Sequence, residues 1–220
     1  MSAVAVIFDL DGVLIDSEQI WDKAREEYVR EVGGRWHESA QRDMMGMSST
    51  EWSRYMHERL AVPRSPERIN RDVVERIADI YRSDGVPLID GAREAVERLA
   101  AIWPLAIASS SNRPIIDEVL ALTGLAGAFR ATVSSEEVAR GKPAADVYLA
   151  AAERLEVAAG SCAGVEDSNN GILALRAAGM RTIAIPNAHY PPKPETLAKA
   201  DVVLATISEL TPNVVKGEAC

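Results

Sequence analysis

Cysteine and long apolar runs are scarce in this chain of 220 residues. The two cysteines, Cys162 and Cys220, have neither the spacing of zinc ligands nor that of a disulfide framework. We therefore expect Cys162 to be a small buried residue and Cys220 to belong to a mobile tail. No stretch approaches the roughly 18 consecutive apolar residues that a transmembrane helix needs, so we expect no membrane partner.

Positive charge is in short supply as well. The chain carries 24 Lys and Arg residues against 33 Asp and Glu, a formal net charge of -9. Proteins that bind phosphate backbones have an excess of Lys and Arg, so this balance argues against a nucleic-acid partner. The apolar N-terminus has no positive n-region, and Asp9 and Asp11 interrupt it before a signal-peptide core could form. We expect it to be a retained first strand, and the protein to be cytoplasmic.

The apolar run Val4–Phe8 ends abruptly in Asp9 and Asp11, which Gly12 follows. A short run rich in β-branched residues and closed by glycine predicts a buried strand. In an open α/β sheet, ligands bind at the carboxyl ends of the strands. A carboxylate at that place can bind magnesium, attack phosphorus or move a proton. Alone, however, the pattern Asp-x-Asp-Gly fits a simple acidic turn at least as often.

Residues 17–85 are predicted to be entirely helical. Three runs with apolar residues at helical spacing follow the capping residues Ser17, Ser48 and Ser65. A short helical piece, Ser39 to Met45, lies between the first two. This part of the chain has no strand pattern, so it predicts a small helical unit inserted after the first strand.

Beyond Pro87, short apolar strands alternate with helices. Strands are predicted at 105–108, 131–133, 162–165, 182–185 and 202–205, and helices at 92–101, 114–122, 144–155 and 171–178. This alternation is typical of βαβ units and a parallel sheet. The sequence therefore predicts an α/β fold: a Rossmann-like parallel core formed by residues 1–16 and 86–220, with an all-helical cap domain, 17–85, inserted into it.

Further polar residues follow the predicted core strands. The segment Ser109–Asn112, which contains Ser110, joins a strand to a helix, where hydroxyls and free amides suit a phosphate. An ordinary helix cap is the alternative. Lys142 precedes a proline, which holds it in an extended or turn conformation and directs it towards the mouth of the sheet. An exposed loop lysine is the alternative here.

Glu166 and Asp167 form a second carboxylate pair at the end of a strand. Two such pairs in one sheet would repel each other without a cation, and Mg²⁺ binds carboxylate oxygens together with substrate phosphates. In order, the strand ends offer an Asp pair, a hydroxyl, a lysine and an acidic pair. Together they provide the nucleophile, acid, phosphate ligand and metal ligands that phosphoryl transfer needs.

These motifs resemble those of the haloacid-dehalogenase-like hydrolase superfamily, over essentially the whole chain. The four family motifs are matched by Asp9-Leu10-Asp11-Gly12, Ser109, Lys142 in Gly-Lys-Pro, and Glu166-Asp167-Ser168 with Asn170-Gly171. The helical insert is similar to the family's first-type cap. Ile15-Asp16-Ser17-Glu18 followed by Trp21-Asp22 looks most like the bacterial sugar phosphatases that act on 2-deoxyglucose or hexitol phosphates, with β-phosphoglucomutases as close relatives.

The resemblance implies a role for each matched residue. Asp9 would attack phosphorus and become an aspartyl-phosphate, while Asp11 would protonate the leaving alcohol and then activate water. The resemblance implies that Ser109 and Lys142 bind the phosphoryl oxygens, and we expect Ser110 and Asn112 of the same polar segment to bind the phosphoryl group as well. Those implied to hold Mg²⁺ are Asp9, the Asp11 backbone carbonyl and Asp167, with Glu166 either as a ligand or as a support for one.

Four alternative functions are possible, three within the family and one outside it. The dehalogenase branch has no aspartate at the place of Asp11, and the phosphonate-cleaving branch needs a cap lysine, for which this chain offers only Lys23 on a charged helical face. In the mutases, a cap histidine and arginine contact the sugar phosphate, and an ungapped alignment puts Trp21 and Ser49 there. A receiver-type signalling module is the non-enzymatic alternative, but such modules are shorter and lack a helical insert.

The sequence thus predicts a Mg²⁺-dependent phosphatase for small phosphorylated metabolites, with sugar phosphates as the first candidates. We expect the protein to be a monomer. For the methionines of the segment Met44–Ser48 core packing is favoured, whereas the family resemblance implies that Gly46–Ser48 could touch substrate as part of a lid. Hinges are expected at Asp16–Glu18 and Asp84–Pro87. The three histidines are expected at the surface; they are His37, His57 and His189.

Overall fold

Six parallel strands form the centre of the molecule. The computed structural model describes residues 3–44 and 47–218. The strands are β1 (Ala5–Phe8), β2 (Leu105–Ser109), β3 (Phe129–Ser134), β4 (Cys162–Glu166), β5 (Arg181–Ala184) and β6 (Val202–Val203). Their order in the sheet is β3-β2-β1-β4-β5-β6. The predicted α/β fold with a Rossmann-like parallel sheet is confirmed.

Helices cover the sheet and form the insert. Within the described residues they are α1 (Glu18–Glu31), α2 (Ala40–Met44), α3 (Ser49–Glu58), α4 (Pro66–Asp84), α5 (Ala92–Ala100), α6 (Arg113–Thr123), α7 (Asp146–Arg154), α8 (Asn169–Ala177), α9 (Pro194–Leu197) and α10 (Pro212–Lys216). Helices α1–α4 lie between β1 and α5, as the sequence predicts. The short helices α9 and α10 were not predicted.

Strand β1 lies in the middle of the sheet because both of its faces are apolar. Val6 and Phe8 pack into the hydrophobic cluster on one face, and Ala5 and Ile7 into the cluster on the other. Such alternation follows from the two-residue period of a strand. All four residues are fully buried, which is typical of parallel sheets with helices on both sides.

The register of the central strands aligns the polar residues at their ends. Phe8 pairs with Ile107 of β2 on one side and with Val165 of β4 on the other. Asp9 therefore leaves β1 between Ser109, which ends β2, and Glu166, which ends β4. Three segments that are far apart in sequence meet at one edge of the sheet.

Two strand lengths differ from the sequence prediction. Strand β3 extends from 129 to 134 rather than 131 to 133, because it is an edge strand whose Arg130 and Thr132 side chains are not buried. Strand β6 ends at Val203, since the next free amide, that of Ala205, bonds to the Glu209 carboxylate at 2.9 Å. Neither difference changes the sheet order around β1.

The two segments that connect the insert to the core run side by side. The amide of Asp16 donates to the carbonyl of Pro87 at 2.8 Å, and that of Ile89 donates to Leu14 at 3.0 Å. Paired connections are what a hinge between two units needs. The boundaries at 16/17 and 85/86 stay a prediction, which this pairing supports.

Several smaller expectations concern single residues. Cys162 is buried, as predicted, whereas Cys220 lies outside the described residues. His37, His57 and His189 are exposed, as predicted. Among the described helices, none combines the length and the apolar character that a bilayer crossing requires.

Leu99 tests the packing of α5 against the core. Its side chain is fully buried, so Leu99→Ala should lower the free energy of unfolding by about 2–5 kcal/mol through lost contacts and a residual cavity. Urea unfolding measures this change. The matched control is Glu97→Ala on the exposed face of the same helix, which should change stability by less than about 0.5 kcal/mol. Equal effects of the two changes would contradict the packing described here.

Candidate active site

Three buried carboxylates converge at the carboxyl ends of β1 and β4. Oxygen atoms of Asp9, Glu166 and Asp167 all lie within 4.8 Å of one another. Asp9 is 6% exposed, Glu166 0% and Asp167 2%. The strand register of the sheet brings Asp9 beside Glu166 and Asp167, although some 160 positions separate Asp9 from that pair.

Lys142 joins two of these carboxylates. Its Nζ donates to Asp9 Oδ1 at 2.7 Å and to Glu166 Oε1 at 2.6 Å. The hydroxyl of Tyr148, on α7, donates to the same oxygen of Glu166 at 2.7 Å. Burial alone would lower the pKa of Lys142, but the charges of Asp9 and Glu166 outweigh it and raise the pKa above its ordinary value. Lys142 is therefore a buried, protonated cation.

One lysine does not balance three buried carboxylates. Burial raises the pKa of Asp9 to about 8 against the attraction of Lys142, with Glu166 and Asp11 adding to the rise. Burial, then the charges of Glu166 and Asp9, raise the pKa of Asp167 well above its ordinary value. Glu166 has a lowered pKa, since Lys142 and its hydrogen bonds outweigh burial. For Asp9 and Asp167 to be ionised together at neutral pH, a further cation would have to stabilise them.

The donor set fits a hard divalent cation. It consists of carboxylate oxygens without histidine or thiolate, the chemistry that Mg²⁺ and Ca²⁺ prefer. Two elements fix Asp167 in place. Asn187 donates from Nδ2 to Asp167 Oδ2 at 3.1 Å, and Gly12, at a φ of +79°, has no side chain: a Cβ there would meet Asp167 Oδ2 at 2.0 Å.

Asp11 lies beside this cluster in a shell of serine hydroxyls. Ser17 donates to Asp11 Oδ1, and Oδ2 accepts from Ser111 at 2.7 Å and from Ser109 at 3.3 Å. Three donors therefore hold the carboxylate of Asp11 in one orientation. Ser17 lies where the first connecting segment enters α1, so the position of Asp11 depends on that segment.

The predicted phosphate-binding residues are not placed alike. Lys142 and Ser110 line the cavity above the carboxylates. The hydroxyl of Ser109 is fully buried beneath it, bonded to Asp11 and to the amide of Ser111 at 2.9 Å. Asn112 directs its Nδ2 to Asn70 at 3.0 Å and to Glu136 at 2.6 Å. Among these residues, only Lys142 and Ser110 are thus in direct contact with the cavity.

A cavity of about 120 Å³ lies between this edge of the sheet and the helical insert. The insert contributes Glu18, Trp21, Arg25, Gln41, Met44, Met47 and Trp52 to its wall. Met44 and Met47 line the cavity and also pack with the hydrophobic core cluster, so core packing of these two methionines is confirmed and contact with substrate stays a prediction. Met45 and Gly46 of the predicted contact segment lie outside the described residues.

Sequence reasoning missed several residues of the site. Asn187 lies in a proline-rich loop and Tyr148 on an apolar helix face, and neither position carries a local signal. Arg25 offered one: it falls four residues after Trp21 and three before Tyr28, on the buried face of α1, where a charged residue is unexpected. The two positions aligned with the mutases differ in placement. Trp21 faces the cavity, while Ser49 donates to Glu136 of the core at 3.0 Å.

Comparisons with known proteins agree with this geometry. A model of the haloacid dehalogenase-like hydrolase family matches residues 4–179. Hexitol phosphatase B of Escherichia coli K12 is 34% identical over 216 residues, 94% of each chain. Protein CbbY of Rhodobacter capsulatus is 32% identical over 197 residues, 85% of this chain and 87% of that protein.

Solved structures give the same result. The crystal structure of CbbY from Rhodobacter sphaeroides in complex with phosphate superposes with a TM-score of 0.84 at 25% identity and covers 96% of each chain. That of a putative beta-phosphoglucomutase from Thermotoga maritima superposes with a TM-score of 0.72 at 29% identity, covering 97% of this chain and 99% of that one. The resemblance drawn from the motifs is confirmed: the chain belongs to the haloacid dehalogenase-like hydrolase family.

Proposed function

We propose that this protein is a Mg²⁺-dependent phosphatase that hydrolyses small phosphate monoesters, sugar phosphates first, through an aspartyl-phosphate on Asp9. The observation that carries the proposal is the buried cluster of Asp9, Glu166 and Asp167. Lys142 bonds to Asp9 and Glu166, and a cavity opens above the cluster. A cytoplasmic location, a monomeric state and the lack of a nucleic-acid partner remain proposals drawn from the sequence.

The chain is a phosphoric monoester hydrolase by its family and by the phosphatases among its relatives. The names of these relatives favour carbohydrate substrates: a hexitol phosphatase and a "phosphorylated carbohydrates phosphatase". The predicted sugar phosphates agree with these names, and the polar side chains of Glu18, Arg25 and Gln41 in the cavity wall support them.

Each step of the reaction has a residue for it. Lys142 occupies Asp9 Oδ1, which leaves Oδ2 to attack phosphorus while the bond to the leaving oxygen breaks. Asp11 gives its proton to that oxygen. In the second step Asp11 takes a proton from water, whose oxygen attacks phosphorus, and Asp9 is released together with inorganic phosphate.

Asp9 and Asp167, with the backbone carbonyl of Asp11, would hold Mg²⁺. The bound ion would neutralise charge on the phosphoryl oxygens and on the nucleophile. We assign Glu166 to positioning Lys142 and the backbone beside Asp167 rather than to binding the ion. Its Oε1 already accepts from Lys142 and Tyr148, and its Oε2 from the amides of Asp167 and Ser168 and from the Ser168 hydroxyl.

The phosphoryl group would lie between Lys142 and the serines after β2. Ser110 and Ser111 line the cavity and can bind phosphoryl oxygens directly. Ser109 and Asn112 remain predicted phosphate ligands, although their present bonds to Asp11 and Glu136 support a positioning role. A receiver-type module is disfavoured, because the chain belongs to a hydrolase family and carries the helical insert.

Replacing the nucleophile should abolish turnover. We expect Asp9→Asn to lower kcat by roughly 10³-fold or more, because an amide cannot form the phosphorylated intermediate. Phosphate release would be measured over sugar, nucleotide and glycerol phosphates, with and without Mg²⁺. Asp117→Asn, an exposed acid on α6, is the control and should keep wild-type rates. Equal turnover by the Asp9→Asn and wild-type proteins would reject the nucleophile.

Gly12 and Gly33 form a matched pair for testing the metal site. Both have a φ near +80°, but a Cβ on Gly12 would displace Asp167, whereas a Cβ on Gly33 would meet nothing within 4 Å. Alanine at either position should cost about 1–2 kcal/mol of backbone strain. Only Gly12→Ala should also raise the Mg²⁺ concentration for half-maximal activity, by roughly 10–100-fold, as for other changes that disturb metal ligands. A Mg²⁺ titration with the same midpoint in both variants would argue against Asp167 as a ligand.

The mutase alternative makes a different product. In place of the cap histidine and arginine of the mutases, this chain has Trp21 and Ser49, whose hydroxyl is engaged with Glu136. With β-glucose 1-phosphate we therefore expect glucose and free phosphate as products. Phosphorus NMR would measure the appearance of free phosphate. Accumulation of glucose 6-phosphate with little free phosphate would change the assignment to a mutase.

A further inference from the structure

Arg25 is a buried cation in the roof of the cavity. Only 7% of the residue is exposed. Its Cζ lies 4.8 Å from the ring centroid of Trp21 and 5.0 Å from that of Trp52. The two indoles are themselves in edge contact, with centroids 6.1 Å apart. Two cation–π contacts thus hold the guanidinium in one orientation.

The guanidinium of Arg25 lacks hydrogen-bond partners in the described part of the chain. Among residues 3–44 and 47–218, no carboxylate oxygen lies within 4.0 Å of it, and its buried Nε has no hydrogen-bond partner. Burial lowers the pKa of Arg25 to about 10, against the attraction of Asp22 and Asp11, so it stays charged at neutral pH. A buried charged donor without a partner is costly. Because Arg25 lines the cavity, a bound ligand can supply the missing acceptor.

The same wall also offers acceptors. Gln41 Oε1 and Glu18 Oε2 are buried and have no hydrogen-bond partner within the described chain, and both residues line the cavity. A hydroxyl group both donates and accepts, whereas a phosphate or carboxylate only accepts. A wall that combines an unpaired donor with unpaired acceptors therefore suits several hydroxyl groups.

The charges of the wall disfavour a second anion. Glu18 lies in the wall, and Asp22, one turn further along α1, acts on the guanidinium of Arg25. The single positive charge is thus offset by acidic neighbours. An uncharged leaving group meets no repulsion there, while a second phosphate would face the carboxyl group of Glu18, with that of Asp22 near Arg25 behind the wall.

We propose that Arg25 determines specificity by donating hydrogen bonds to hydroxyls of the departing sugar, while Glu18 and Gln41 accept from them. The site then selects phosphate monoesters whose leaving group is an uncharged polyol. This inference rests on the proposed function, because it assigns a substrate class to the same cavity.

The test compares leaving groups. Sorbitol 6-phosphate carries hydroxyls, p-nitrophenyl phosphate has none on its leaving group, and fructose 1,6-bisphosphate adds a second phosphate. Arg25→Met should lower kcat/KM for sorbitol 6-phosphate roughly 10- to 100-fold, the effect of losing a hydrogen bond from a charged donor. Its kcat/KM for p-nitrophenyl phosphate should change by less than about threefold, because the reacting groups are untouched. The kcat/KM of Arg25→Lys for sorbitol 6-phosphate should lie between those of the wild type and Arg25→Met, because lysine keeps the charge.

A matched control and a binding measurement complete the design. Arg30→Met, on the exposed side of the same helix, should leave all three substrates unchanged. Calorimetric binding of sorbitol 6-phosphate to the Asp9→Asn protein should weaken about 10-fold or more when Arg25→Met is added. Binding of inorganic phosphate should not weaken. Melting temperatures establish that the variants are folded.

The outcomes separate this inference from the proposed function. If Arg25→Met lowers sorbitol 6-phosphate and p-nitrophenyl phosphate turnover equally, Arg25 has only a structural role and the inference fails. It also fails if the wild type prefers the bisphosphate more than about tenfold and Arg25→Met removes that preference. If the wild type hydrolyses no ester, the proposed function fails, and the binding measurement alone decides the role of Arg25.

Discussion

The balance between three buried carboxylates and one buried lysine governs the architecture of this site. Lys142 offsets Glu166 and part of Asp9, and in doing so it holds both in place. Asp167 and the rest of the charge on Asp9 remain uncompensated. An ion pair without such an excess would be merely structural, whereas buried charge left over at a cavity favours binding of a cation. The same imbalance would give the cavity affinity for a divalent cation, and the bound cation would in turn attract a phosphate.

The parallel sheet makes this arrangement possible at little local cost. Because β1 pairs in parallel with both β2 and β4, the carboxyl ends of all three strands lie at one edge. The backbone amides of Asp167 and Ser168 then face Glu166, whose carboxylate they stabilise. Glycine at position 12 leaves room for Asp167. The charges are therefore held partly by the main chain beside them and partly by side chains from distant segments, such as Lys142 and Asn187.

The position of the site residues at strand ends explains which parts of the molecule could be predicted from sequence. Asp9, Glu166 and Lys142 each follow or precede a recognisable strand or turn, and the parallel-sheet rule was enough to bring them together. Asn187 and Tyr148 were missed because their contacts depend on how a loop and a helix face pack against β4. Strand β3 was placed too short because only one of its faces is buried. In the insert, helix periodicity identified the helices but not the face that each turns to the cavity.

Arg25 shows why the cap is harder to interpret than the core. Its spacing from Trp21 and Tyr28 predicts the buried face of α1, but only the packing of α1 against α3 places it beside two indoles. The cap wall exists as a binding surface only while cap and core are in contact. Apolar packing contributes to that contact, because one hydrophobic cluster contains residues of both cap and core, and polar bonds add to it: Tyr190 to Asp22 at 2.9 Å and Ser49 to Glu136 at 3.0 Å. The polar bonds could exchange with water if the proposed hinge opened. A leaving group that fills the unpaired positions of the cap would therefore stabilise the closed arrangement, and the chemistry on Asp9 would be coupled to recognition of the sugar.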